Sequence, residues 1–327
     1  MFGLARFVLA AAIAFSVTAA LGQGRQVDYP NRPIKLIVAF PPGGATDVIA
    51  RVVGQPLGQR LGQQVIVDNR PGSNGNIAAE VAAKAKPDGY TLMIGPDSLF
   101  GINPHLYAKM PVDLAKDFVP ITNLVANQLI LAVNPTNVPV NDLKSFVDFA
   151  KRAKPPLFYA SIGNGSQHHL AMEMLKRQAG FEATHVPYKG GGPAGIAVMS
   201  GEVAGMFGGG SVLPLAKSGK LKALAVSSRK RSSVLPDLPS ISEIYPGFEV
   251  TIWQGLFAPT GTPQAIIDKL HTELSAVLAM PDVAQKLLNT GSGEPNITTA
   301  GELAGMIRRD YESYGKVINE TGVKVDD

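Results

Sequence analysis

The chain has 327 residues, 45% hydrophobic and 17% charged, which excludes a disordered polymer and leaves room for two domains with a sizeable core. With no cysteine, disulfides, thiol catalysis and cysteine-ligated zinc are excluded. The formal charge of +4 does not mark a nucleic-acid binder: the basic residues are spread, and the one dense run, "SSRKRSS" at 227–233, reads as a solvated loop.

In chain order, residues 1–22, "MFGLARFVLAAAIAFSVTAALG", come first. Arg6, an apolar run from Phe7 to Ala20 and the small residues Ala20 and Gly22 predict a cleaved export signal and a periplasmic protein. The run is too short for a membrane anchor, and no cysteine follows it to carry a lipid. Strands are expected at 34–40, 65–68, 91–95, 129–134, 157–160, 185–188, 204–207, 223–227 and 252–258. Helices are expected between them at 46–61, 76–85, 142–152, 166–179 and 193–200. This alternation predicts an α/β fold whose mostly parallel sheets are covered on both faces. After residue 258 the pattern is helical only, at 263–280, 282–288 and 299–319. A chain that crosses near 128 and returns near 254 makes two lobes, 28–127 with 255–327 and 128–254, with a ligand cleft between them. The last helices then close over the first lobe.

In open parallel sheets ligands bind beyond the carboxyl ends of the strands, where loops lead into helix N-termini. Small residues gather there: "FPPGGATD" at 40–47, "NRPGSNGNI" at 69–77, "GPDS" at 95–98, "ASIGNGSQHH" at 160–169, "YKGGGPAG" at 188–195 and "FGGGS" at 207–211. Any one of these is explained by a tight turn. Six at equivalent strand ends point to a site where backbone N–H groups grip an anion, such as a carboxylate, without an arginine.

Other chemistries lack their motifs. GxxxxGK[ST] and GxSxG are absent, and the adjacent His168 and His169 point about 100° apart on a helix, so they cannot form an i, i+4 metal pair. One of the two is expected to face the cleft. Asp47 either contacts ligand or holds its own loop, the latter being favoured, and Asn74 could cap the helix beginning near 76. Asp97 either caps a helix or faces the ligand, where it would favour an ammonium group, the cap being favoured. No nucleophile, base and oxyanion hole assemble, so no enzyme and no cofactor are expected.

The blocks "YPNRPIKLIVAFPPGGATD", "NRPGSNGNIAAEVAAKAKPDGYTL", "YASIGNGSQHHLAMEML", "HVPYKGGGPA" and "GLFAPTGTP", in this order and spacing, resemble the Bug-type extracytoplasmic solute receptors of tripartite tricarboxylate transporters. The resemblance spans about 29–325 and implies a two-lobed periplasmic-binding-protein fold of the Venus flytrap, type II, kind. It also implies a monomeric receptor without cofactor that passes a small carboxylate to a permease of one large and one small membrane subunit. By the family's pattern the ligand is pinched between Gly43, Gly44, Ala45, Thr46 and Asp47 on one lobe and Ser161, Gly163, Gly165 and Ser166 on the other, with His169 as the family's histidine. Phe40, Asn74, Ser98, Tyr188 and Gly209 complete the expected site. Many members carry an acidic residue where this chain has Gly208, Gly209 and Gly210, which disfavours an ammonium-bearing ligand. Binding would shift an open form to a closed one. Trp253, on the return crossing, either reports closure or is plain core. A receptor that signals to a membrane sensor and, at longer odds, a periplasmic enzyme acting on an acid are the alternatives.

Overall fold

The computed structural model describes residues 29–210, 212–232 and 235–324; the expected export signal and Ser211 lie outside them. The chain divides into two units, up to Asn31 and from Arg32 onward. Residues 29–31 carry no regular element. The second unit holds the eleven strands and all the described helices.

The first part runs β1 (Ile34–Val38), α1 (Ala45–Leu61), β2 (Val65–Asn69), α2 (Asn76–Ala83) and β3 (Thr91–Pro96). Three short helices follow, α3 (Asp97–Gly101), α4 (Asn103–Leu106) and α5 (Leu114–Asp117), and then the long β4 (Phe118–Gln128). The middle part is β5 (Ile130–Val133), α6 (Leu143–Arg152), β6 (Leu157–Ser161), α7 (Gln167–Ala179), β7 (Ala183–Pro187), α8 (Gly191–Ser200), β8 (Gly205–Gly208), α9 (Leu213–Lys217) and β9 (Lys222–Val226). The chain ends with β10 (Thr251–Pro259), α10 (Gln264–Leu278), α11 (Pro281–Asn289), β11 (Glu294–Pro295) and α12 (Ala300–Thr321).

Two sheets result. The first has the order β11-β4-β10-β3-β1-β2, the second β7-β6-β8-β5-β9. Both are mixed. β1 runs parallel to β2 and β3, and β6 to β7 and β8, while β10 is antiparallel to β3 and β4, β11 to β4, and β5 to β8 and β9. The parallel pairs are those joined by helical crossovers. The antiparallel ones belong mainly to the strands that carry the chain between the sheets. β4 was not expected as a strand: Pro120, Asn123 and Asn127 break its apolar pattern, and its pairing with β10 shifts register twice.

The two crossings meet at one buried serine. The chain passes from β4 to β5 through Leu129 alone, whose N–H donates to Ser227 Oγ at 2.8 Å and whose carbonyl accepts from Ser227 N at 2.8 Å. Ser227 Oγ donates in turn to the Val250 carbonyl at 2.5 Å, and Val250 N to the Ser227 carbonyl at 3.0 Å. Outgoing and returning chain are thereby held side by side, with Gln128 opposite Thr251.

Each sheet has its own core. Beneath the first, Phe100 stacks on Phe257 at 4.2 Å between ring centroids and on Trp253 at 6.2 Å, with Ile37, Met93 and Leu303 around them. Trp253 is thus core, 1% exposed, with its Nε1–H donating to Asp310 at 2.6 Å. The second core gathers Leu131, Phe146, Leu170, Leu175 and Phe207, and it also takes Tyr314, Val317 and Ile318 of α12. The last helix therefore does more than cover the first sheet: Leu303 enters one core and its final turns enter the other, where Glu320 pairs with Arg177 of α7 at 2.7 Å.

Candidate functional site

Between the carboxyl end of β1 and that of β6 lies a cavity of about 550 Å³. Its wall is built from the loop into α1, the loop into α7, Asn74, the β3–α3 junction and β10. Helix α1 starts after Gly44 and α7 after Ser166, so two helix N-termini, each with backbone N–H groups that no preceding turn can satisfy, contribute to one space.

Local bonding explains how each loop holds its shape. On the β1 side Gly43 has φ +81°, a conformation that favours glycine, and its N–H donates to Asp47 Oδ2 at 2.9 Å. Asp47 also accepts from Asn69 Nδ2 at 3.0 Å and pairs with Arg51, while Asn69 Nδ2 reaches the Phe40 carbonyl at 2.9 Å. The Arg51 guanidinium, helped by the Gly43 and Asn69 donors, holds the Asp47 carboxyl down at about 2 against the desolvation that opposes it. Asp47 is buried behind the loop as its anchor.

On the β6 side Ser161 Oγ lies 2.6 Å from His185 Nε2 and accepts from Gly163 N at 3.1 Å. Ser166 Oγ donates to the Gly163 carbonyl at 2.7 Å and accepts from His169 N at 3.3 Å, which caps α7. The Gly165 N–H donates to His169 Nδ1 at 3.2 Å, so that nitrogen carries no proton. The His169 and His185 rings stack with centroids 3.7 Å apart, and burial holds each at about 4, so both are neutral near pH 7.

A third contact ties the two sides together. Asp97, fully buried at the start of α3, accepts from Gln167 Nε2 of α7 at 2.9 Å and 3.0 Å, one bond to each carboxylate oxygen. Burial and the neighbouring Asp310 push its carboxyl well above the ordinary value. The helix-cap reading of Asp97 does not hold: Pro96 occupies the cap position without a side-chain bond, Asp97 is the first residue of α3, and its carboxylate goes instead to Gln167 of α7. Asn74 has φ +50° and leaves the capping position to Gly75; its Nδ2 donates to Asn103 Oδ1 at 2.6 Å.

Among the described residues no lysine, arginine, aspartate or glutamate lines the cavity. Its polar wall is made of Thr46, Asn74, Ser98, Tyr107, Asn164, Ser166, Gln167, His168 and Gln254, with Phe40, Leu106, Ile162 and Ile252 among its apolar surface. Such a wall can offer backbone and side-chain donors to an anion, but no opposite charge to a cation.

A family model described as the tripartite tricarboxylate transporter family receptor matches residues 49–323. The chain belongs to this family. The receptor is similar to the Rpa4515 protein of R. palustris solved with adipate, at 33% identity and TM-score 0.76 over 90% of the receptor and 99% of that chain. It is similar to MatC from Rhodopseudomonas palustris solved with bound malate, at 32% identity and TM-score 0.71 over 89% and 100%. It is also similar to the periplasmic binding protein BugD, at 31% identity and TM-score 0.71 over 90% and 99%. The two-sheet α/β fold of the receptor is that of periplasmic solute-binding proteins of the BugD and TctC kind.

Of the residues expected at the site, the receptor places Phe40, Gly44, Ala45, Thr46, Asn74, Ser98, Gly163, Gly165 and Ser166 on the cavity wall. Gly43, Asp47, Ser161 and His169 stand one layer behind, bonded to the loops. Tyr188 and Gly209 are elsewhere. The Tyr188 hydroxyl donates to Glu202 at 2.8 Å, and the backbone of Gly210, next to Gly209, lies against Gly291. β7 is an edge strand, which carries the loop after it away from the cavity.

Ten wall residues were not named as site residues, five of them polar: Tyr107, Asn164, Gln167, His168 and Gln254. Gln167 follows the capping Ser166 directly, and side chains of a first helical turn flank that helix's N-terminus, a usable signal; of the two histidines, one of which was expected to face the cleft, it is His168 that lines the wall. Gln254, a polar residue inside the apolar run "IWQGLFA", was another such signal; its Oε1 accepts from Thr46 Oγ1 at 3.2 Å.

Proposed function

We propose that the receptor captures a small, non-amino carboxylate in the 550 Å³ cavity, between a lobe of residues 28–127 with 255–327 and a lobe of residues 128–254. In this reading it is exported by its N-terminal signal, works as a monomer, and delivers the acid to the large and small subunits of a tripartite tricarboxylate-type permease. The observation that carries the reading is the convergence of two helix N-termini on a cavity that no charged side chain lines among the described residues. Each charge-assisted bond to a shielded carboxylate contributes roughly 1.5–3 kcal/mol. Donors come from both lobes, so the anion favours the closed form. An ammonium group would find no free carboxylate, since Asp47 is held by Gly43, Asn69 and Arg51, and Asp97 by Gln167. The bound adipate and malate of the two similar proteins are acids of the expected size.

A thermal-shift screen of the mature chain, unfolded and refolded to remove carried ligand, tests this with mono-, di-, tri- and aromatic carboxylates, each beside its amide. An acid at about 100 times its dissociation constant adds roughly 2.7 kcal/mol of stability, and its amide is silent. Equal shifts from acid and amide, or none from any acid, refute the reading.

A further inference from the structure

The loop from β6 into α7 lines the cavity, yet one of the side chains that shapes it comes from a strand that does not reach the wall. His185 is half-buried in the edge strand β7, opposite Tyr159 of β6. Tyr159 and Ser161 share one face of β6, so the ring of His185 can lean along the strand toward Ser161, and its Nε2 lies 2.6 Å from Ser161 Oγ. The ring has little freedom there. It stacks on His169 of α7 at 3.7 Å between centroids and lies 5.2 Å from the ring of Tyr159.

Both polar groups of Gly163 return to the same serine oxygen: the Gly163 N–H donates to Ser161 Oγ at 3.1 Å, and the Gly163 carbonyl lies 3.0 Å from it. A serine side chain on its own has three staggered rotamers, and the contact with His185 holds Ser161 in the one that meets Gly163. Gly163 in turn carries the rest of the loop, since its carbonyl accepts from Ser166 Oγ, the cap of α7. We propose that His185 is a positioning residue for ligand capture: by fixing Ser161 it pre-organises the loop at 161–166, and so sets affinity without touching the ligand. This rests on the carboxylate-capture reading above and adds to it. A loop already in its binding shape loses less freedom when the anion arrives, and the affinity rises by that difference.

The test is a double-mutant cycle read by isothermal titration of refolded receptor with adipate, malate and the rest of the carboxylate panel. His185→Phe keeps an aromatic ring against His169 and Tyr159 and removes the nitrogen. It is expected to weaken binding about tenfold, the size of one hydrogen bond lost behind the loop. His185→Gln, whose amide nitrogen can stand near the place of the imidazole Nε2, is expected to recover most of that loss. In a Ser161→Ala background the His185→Phe change is expected to have little further effect, which a general packing role for the ring would not produce. Melting temperatures establish that the variants fold; should His185→Phe fail to do so, His185→Leu takes its place. A folded His185→Phe that binds as tightly as wild type, a His185→Gln no better than His185→Phe, or a loss undiminished in the Ser161→Ala background overturns the proposal and leaves carboxylate capture standing. Silence of the wild type toward every acid of the panel refutes the capture reading itself, and the proposal with it.

Discussion

Replacing Asp47 by asparagine removes one charge from the base of the β1–α1 loop and keeps its shape. The Asp47 carboxyl is held at about 2 against an ordinary 3.8, chiefly by Arg51. An interval of that size is linked to about 2 kcal/mol of stability, at 1.36 kcal/mol for each tenfold change in proton affinity. Because the Arg51 side chain is 56% exposed, solvent screening lowers the expected effect to about 1–2 kcal/mol. Between pH 3.8 and 2 the unfolded chain binds the proton that the folded chain refuses. The stabilisation is therefore complete above the unfolded value and disappears as the pH falls through about 2. Urea unfolding of wild type and Asp47→Asn, followed by the fluorescence of Trp253, should give a difference of about 1–2 kcal/mol at pH 7 that narrows below pH 4 and closes near pH 2. A variant as stable as wild type at pH 7, or a difference that persists undiminished at pH 2, would refute the reasoning.

Two further changes probe other parts of the same arrangement. Ser166→Ala removes the cap of α7 and the bond to the Gly163 carbonyl, so it should cost about 1 kcal/mol in thermal unfolding and weaken carboxylate binding severalfold by calorimetry. Asp310 is pushed up to about 7, mainly by burial, so the folded chain keeps a proton that the unfolded chain releases above 3.8. Wild-type stability should then fall as the pH rises through that window. Asp310→Asn, which still offers Trp253 an acceptor, should be roughly 2 kcal/mol or more above wild type at pH 8 with no such gain at pH 4, as read from melting temperature across pH.

The parts of the fold that could be read from the chain are those with a local cause. Strands at 34–40, 65–68 and 91–95 appear as Ile34–Val38, Val65–Asn69 and Thr91–Pro96, because continuous apolar runs bounded by glycine and proline leave few alternatives. β4 escaped because Pro120 and two asparagines hide an eleven-residue strand whose reason to exist is its partner β10, over a hundred residues away. The glycine loops were legible at the site, since Gly43, Gly163 and Gly165 occupy positive φ and precede helices. Which of His168 and His169 faces the cavity was not: the rotation of α7 about its axis is set by Leu170 and Leu175 in the second core, a tertiary fact. The Asp97–Gln167 bond joins elements of different sheets and left no mark in either local sequence.

The order of the first sheet also dictates a sequence of events. β10 lies between β3 and β4, so neither has a common neighbour until residues 251–259 exist, and the core under them lacks Trp253 and Phe257 until then. The second sheet uses only strands from Ile130 to Val226, all made earlier in the chain. In a chain emerging from synthesis the sheet that begins second can close first. The sheet that begins first waits for β10, with Pro96 unpaired until it meets Gln254, so β3 and β4 are the segments expected to be at risk of aggregation while that long-range pairing is pending.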